Sequence, residues 1–174
     1  MERQIERALR PDEFIHDRAC FSFVSGLEQV ANGIKELTTT EPARAVALCE
    51  AFVAGCHAKA EQLDDSSGAF GMFVKDLICT WIKANQARGA DPERTAATLL
   101  AWMDDDPYAF CHEIEKDTSA AFHEAGRAAF ERQIRPRFEA VSGDPASWPY
   151  RRMSAVLRAI YVAQENILAY VRHA

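Results

Sequence analysis

Two amphipathic patterns dominate the chain. Ala45, Leu48, Cys49, Phe52, Val53, Cys56, Ala60 and Leu63 recur at intervals of three and four residues, the spacing of one helix face. Phe70, Phe73, Val74, Leu77, Ile78, Trp81 and Ile82 repeat the pattern further on. Between them lie five turn-formers, Asp64-Asp65-Ser66-Ser67-Gly68. The combination predicts an αα-hairpin that cannot bury both stripes by itself.

The same periodicity predicts helices over about 12–37, 41–63, 69–88, 92–103, 107–122, 124–141, 149–163 and 167–172. Residues 1–11 read as a short polar helical segment ending at Pro11, with Asp12 placed to cap the next helix. Gly26 and Gly33 lie seven apart on that helix, which predicts close approach by a neighbouring helix, the alternative being a groove floor for a bound segment. Thr38-Thr39-Thr40 reads as its end. Asp91-Pro92 and Asp106-Pro107 each set an N-cap before a proline at the first helical position. Pro136 removes a backbone hydrogen bond and predicts a kink. Asn166 is placed to cap the last helix.

No period-two strand competes with these elements. The expected fold is all-α: antiparallel hairpins stacked as a tetratricopeptide-like α-solenoid array, or an irregular bundle, forming a single helical-repeat domain over 1–174. The last helix ends with its apolar face barely begun. The chain is therefore expected either to be a fragment of a longer protein or to pair this end with another copy.

Composition narrows the class without naming a function. With 48% apolar and 26% charged residues the chain reads as an ordinary globular protein. No apolar run approaches the ~18 residues of a membrane span, and Met1-Glu2-Arg3-Gln4 lacks a signal-peptide core; a cytoplasmic location is expected, with no membrane partner. Five cysteines without a Cys-x-x-Cys pair suit reduced thiols. The net charge of −6 divides into −9 over residues 1–117 and +3 over 118–174, where every basic residue is arginine. Such a balance is poor for nucleic acid. It suits a protein or peptide partner, or head-to-tail association into a homo-oligomer.

Several turn and packing signatures carry a likeness. Asp64-Asp65-Ser66-Ser67-Gly68 is followed by Trp102-Met103-Asp104-Asp105-Asp106-Pro107-Tyr108 with Phe110, then by Gly126 with Phe130-Glu131. In that order they resemble an uncharacterised bacterial family of all-helical proteins related to the helical region of SWIM-type zinc-finger proteins. Arg152 through Ile160-Tyr161-Val162-Ala163-Gln164 resembles that family's next, tetratricopeptide-like helical pair. The resemblance implies a helical-pair scaffold with an interaction role, and it supplies no catalytic residues. The SWIM finger's Cys-x-Cys and Cys-x-His ligands do not occur in this chain, so zinc is not carried over.

Candidate chemistry is sparse. In the acidic turns, capping explains one carboxylate each and leaves a second spare, so Asp64 and especially Asp65 are candidate ligand contacts. Cys56-His57 and Cys111-His112 supply zinc-ligand types, but adjacent helical residues diverge by roughly 100°. No phosphate loop, nucleophile elbow or His-Glu-x-x-His helix is present. The arginines are a better feature: Arg127, Arg132, Arg135 and Arg137 on one predicted helix, and Arg151, Arg152 and Arg158 on the next, with Trp148 and Tyr150 nearby. Of these, Arg127, Arg135, Arg151 and Arg152 are the candidate contacts for an acidic peptide. The alternative is a set of salt bridges to Glu131 and Glu139. A protein- or peptide-binding scaffold without cofactor is the expected function. A self-association module is the second reading, and an enzyme or metalloprotein using the acidic turns or Cys-His pairs the third.

Overall fold

A computed structural model describes residues 1–10, 13–141 and 143–172. The described residues are all-α, with nine helices packed through antiparallel bundle contacts. One isolated bridge, Ile15 to Leu63, is the β-structure among them. No described helix is long and apolar enough to cross a membrane. The chain groups into two compact units, Met1–Gly89 with Asp106–His112, and Ala90–Asp105 with the residues from Glu113 onward.

The first unit contains α1 (Glu2–Ala8), α2 (Asp17–Thr40), α3 (Pro42–Lys59) and α4 (Ala69–Ala87). The predicted hairpin is α3–α4, and α2 packs against both of its helices. Leu27 and Ile34 from α2, Leu48 and Phe52 from α3, and Phe70, Leu77, Ile78 and Ile82 from α4 form a core closed to solvent. Each such side chain contributes about 1.5–3 kcal/mol by leaving water. Trp81 belongs to the same stripe, and its Nε1 donates to Glu50 Oε1 at 3.0 Å.

Several boundaries differ from the periodic reading. Helix α2 starts at Asp17 behind His16; the cap expected at Asp12 lies outside the described residues. It also continues through Thr38–Thr40. The hydroxyls of Thr38 and Thr39 donate to the carbonyls of Lys35 and Glu36 at 2.6 and 3.1 Å, so they serve the last turn instead of breaking it. Helix α3 stops at Lys59 and tightens into a 3-10 turn over Ala60–Gln62. Leu63 is then extended: Ile15 N–H donates to Gln62 O at 2.9 Å and Asp64 N–H to Ile15 O at 2.8 Å. The close approach expected at both Gly26 and Gly33 holds at one. A Cβ at position 26 would meet nothing, whereas at 33 it would lie 2.9 Å from Met1 Cε.

The largest difference is at 107–122. Helix α6 covers only Glu115–Ala121, and residues 107–114 form turns. Ala109 and Glu113 sit at φ 57° and 54°, left-handed conformations that a right-handed helix excludes.

The second unit contains α5 (Pro92–Asp104), α6, α7 (Glu124–Val141), α8 (Trp148–Ala163) and α9 (Ile167–Arg172). The Asp91 cap is formed, its carboxylate accepting from Glu93 N–H at 3.1 Å. Helix α5 packs on α7, while α8 touches α6, α7 and α9. Leu99, Phe122, Phe130, Ile134, Val156, Leu157, Ile160 and Tyr161 fill the interior. Helix α7 remains helical through Pro136. Ser147 Oγ accepts from Tyr150 N–H to cap α8, and Asn166 Oδ1 accepts from Ala169 N–H to cap α9.

Candidate functional site

The acidic turns are closed on the backbone. Helix α4 begins behind Gly68, at φ 72° and without a side chain to offer as a cap. Asp65 supplies the cap from three residues earlier: Oδ1 accepts from Phe70 N–H at 2.9 Å and Oδ2 from Gly71 N–H at 2.8 Å. The Cys20 thiol also donates to Asp65 Oδ1 at 3.7 Å. Burial, and then the Asp65 charge, push the Cys20 pKa up. Asp65 is thus not the spare carboxylate of the turn. Asp64 bonds the N–H and hydroxyl of Ser66, contacts that hold its carboxyl below the usual range.

The Asp104-Asp105-Asp106 run uses the same device without a helix behind it. Asp106 Oδ1 accepts from Phe110 N–H at 2.9 Å and Oδ2 from Cys111 N–H at 2.6 Å. This clamp fixes the turn and sends Phe110 into the first unit's aromatic cluster. Phe110 meets His57 at 5.0 Å and Phe70 at 5.5 Å between centroids, both edge-on. Tyr108, 6.0 Å from His57, donates its hydroxyl to Glu61 at 3.0 Å. His57 therefore packs against aromatic rings. Cys49 is pushed up to about 12 by burial, and Cys56 is raised for the same reason. A thiol held neutral is a poor nucleophile and a poor metal ligand. Among the described residues no group of three or more His, Cys, Asp or Glu side chains is placed to hold a metal ion.

The arginines bond mainly within their own unit. Arg132 pairs with Glu93, which also accepts from Gln133 Nε2 at 3.0 Å. Arg137 Nη1 bonds both oxygens of Asp104 at 2.9 and 2.7 Å. Arg135 bridges Glu131 and the Tyr161 hydroxyl. Burial first, and then the Glu131 charge, push the Tyr161 pKa up. Arg152 donates to Met103 O at 2.6 Å with its guanidinium 5.0 Å from the Trp148 ring. Arg158 bonds Ser154 Oγ at 3.0 Å. Arg127 Nη1 reaches Phe122 O, while its Nε is buried without a hydrogen-bond partner. Arg151, in the first turn of α8, is exposed. The charge asymmetry along the sequence thus shrinks in space, because Glu93 and Asp104 fold back against the arginine-bearing segment.

Linkage through Glu93 gives a pH dependence. Its carboxyl is held below the usual range by the Gln133 hydrogen bond and then by Arg132. A depressed folded pKa contributes stability above the unfolded value and loses it as pH falls through the folded one. The thermal-stability gap between wild type and Glu93→Gln is therefore expected to be largest near neutrality and to close below about pH 4, the ordinary carboxylate range. Differential scanning fluorimetry across pH 2.5–7, values chosen to bracket that range, checks it. The gap is small, because the pair is exposed.

A different feature stands out at the end of the second unit. Helix α8 ends in a Schellman arrangement: Glu165 is at φ 56°, its N–H donating to Val162 O, and Asn166 N–H donates to Tyr161 O at 2.8 Å. The turn opens an apolar cavity of about 430 Å³ lined by Tyr161, Val162, Glu165, Asn166 and Tyr170. Val162 is 62% exposed and Leu168, on α9, 79%. Periodicity did not single out this site. The available signal is Val162, an apolar residue beside Tyr161 and therefore about 100° off the buried stripe. Compared with family models, curated proteins and solved structures, the chain gives no match, so the likeness to the helical region of SWIM-type proteins rests only on the turn and packing residues that carry it in the sequence.

Proposed function

We propose that the chain is a protein- or peptide-binding helical scaffold, built from tetratricopeptide-like hairpins, in which the α8–α9 cavity receives an apolar side chain of the partner. The observation that carries this reading is the cavity itself, with exposed Val162 at its rim and Leu168 on the adjoining helix. An open apolar pocket beside convergent polar groups, here Glu165 and Asn166, is the usual form of an anchor site. The consecutive hairpins and the family-like turns support the scaffold reading. Because the arginines bond within their own unit, the partner's acidic residues have fewer guanidiniums to meet than the sequence suggests.

Selection of displayed random peptides on the immobilised full chain tests this. The expected binders carry an aliphatic or aromatic anchor, and Val162→Asp weakens them at least about tenfold, or about 1.4 kcal/mol. Arg151→Ala leaves them within about twofold of wild type, as expected of an exposed charge at a rim. Acidic binders lost in Arg151→Ala and kept in Val162→Asp would overturn the proposal. The exposure of Leu168 favours a second reading, self-association through the same surface. It requires a reversible dimer in sedimentation equilibrium that Leu168→Asp dissolves.

A further inference from the structure

Glu165 is an uncommon residue for its place. It follows the cap of α8 at φ 56°, where glycine takes the left-handed backbone without the steric cost that a Cβ brings. The chain sets an exposed carboxylate there instead, on the wall of the α8–α9 cavity. Costly backbone points to function when the side chain it positions has a task. Ala109 and Glu113 share this backbone region but are not among the residues that line the cavity. Among the described residues no cation pairs with Glu165. Arg135, which reaches the Tyr161 hydroxyl, is held by Glu131, and Arg158 of α8 bonds Ser154 Oγ. The last turn of α8 carries no basic side chain, although the negative end of a helix dipole favours one. Asn166 commits its Oδ1 to Ala169 N–H at 3.1 Å, which leaves its Nδ2 as a donor at the same rim. A carboxylate, the negative end of a helix and an amide donor thus surround an apolar interior, on a chain of net charge −6.

We infer that the peptide segment entering the α8–α9 cavity is basic: a lysine or arginine adjoins its apolar anchor, and that cation meets the Glu165 carboxylate. This inference rests on the anchor reading of the same cavity and adds the partner's charge to it. The apolar wall supplies the affinity, and the charge pair selects among segments with similar anchors and sets their register. Asn166 Nδ2 offers a hydrogen bond to a carbonyl of the same segment. The partner's charge is opposite to the one that the arginine-bearing end of the sequence suggests. Arg132, Arg137 and Arg135 are bonded to Glu93, Asp104 and Glu131, whereas Glu165 is left facing solvent.

The test selects displayed random peptides on the immobilised full chain at low salt, then remeasures each synthesised binder with its lysine or arginine changed to glutamine. Cavity binders are those that Val162→Asn weakens, a neutral change that does not itself attract a cation. They are expected to be enriched in Lys or Arg beside the anchor. Removing that charge, or changing Glu165→Gln, should weaken them about three- to fivefold, the scale of an exposed ion pair. Both changes together should cost no more than either alone, and the effect of Glu165→Gln should vanish at ~0.5 M salt. Glu165→Gly relieves the left-handed backbone, so it should lose the same affinity with a melting temperature no lower than that of wild type. Cavity binders that ignore both Glu165→Gln and the peptide's charge, or that carry acidic residues beside the anchor, overturn this inference and leave the anchor reading standing. The absence of any binder weakened by Val162→Asn overturns the anchor reading, and this inference with it. A melting temperature lowered in both Glu165 variants would mean that the carboxylate holds the turn, which overturns the inference equally.

Discussion

Phe70→Ala is expected to destabilise the first unit by about 3–5 kcal/mol, the range for removing a fully buried phenylalanine. Phe70 is closed to solvent and lies where three parts of that unit meet. Its ring centroid is 6.2 Å from Phe23 of α2, 6.5 Å from Phe73 of α4 and 5.5 Å from Phe110 of the Asp106 turn. Removing it leaves a cavity bounded by rings that cannot all move inward, so the loss includes a cavity term as well as a transfer term. Typical domains are stable by only about 5–15 kcal/mol, so the variant should sit near its folding limit. Equilibrium urea unfolding checks it. A lower midpoint with unchanged slope is expected, and a loss below about 1 kcal/mol would mean that the cluster packs loosely.

Asp65→Ala should cost about 2 kcal/mol, the upper end of the range for a helix cap, because it strands two N–H groups at once. An unsatisfied buried donor costs more than the bond it had was worth. Asp65→Asn should recover part of the loss, since an amide has one accepting oxygen where the carboxylate has two. Asp64→Ala removes contacts only to Ser66 on an exposed turn and should shift the unfolding midpoint much less. Urea midpoints for the three variants check the order: Asp64→Ala nearest wild type, Asp65→Asn intermediate, Asp65→Ala lowest. Equal effects at 64 and 65 would contradict the assignment of roles.

What could be read from the sequence was what depends on local period. The stripes of α3, α4 and α5 were legible because each buried face repeats every three to four residues. Asp91-Pro92 was legible because cap and proline act within one turn. The identical signal at Asp106-Pro107 misled, because Ala109 and Glu113 take left-handed backbone without being glycine, and Asp106 bonds N–H groups four and five residues on in a turn instead of opening a helix. Leu63 looked helical because its partner, Ile15, is 48 residues earlier in the chain. The arginines looked available because Glu93 and Asp104 lie 39 and 33 residues away from the guanidiniums they meet. Among the candidate residues the chemical types were right for hydrogen bonding, and the fold turned most of that bonding inward. The α8–α9 cavity was hidden because it arises at a turn, where helical period ends.

The acidic turns are architecture, with Asp65 and Asp106 each closed on two backbone N–H groups. Amide exchange at Phe110 and Cys111 tests this most directly, because both lie outside any helix and Asp106 is the acceptor that holds them. Slow exchange is expected at both amides in the wild type, and fast exchange at both in Asp106→Ala while the amides of α3 and α4 stay protected. Exchange in the wild type at the rate of an unstructured loop would contradict it and return the aspartates to the pool of groups open to a ligand.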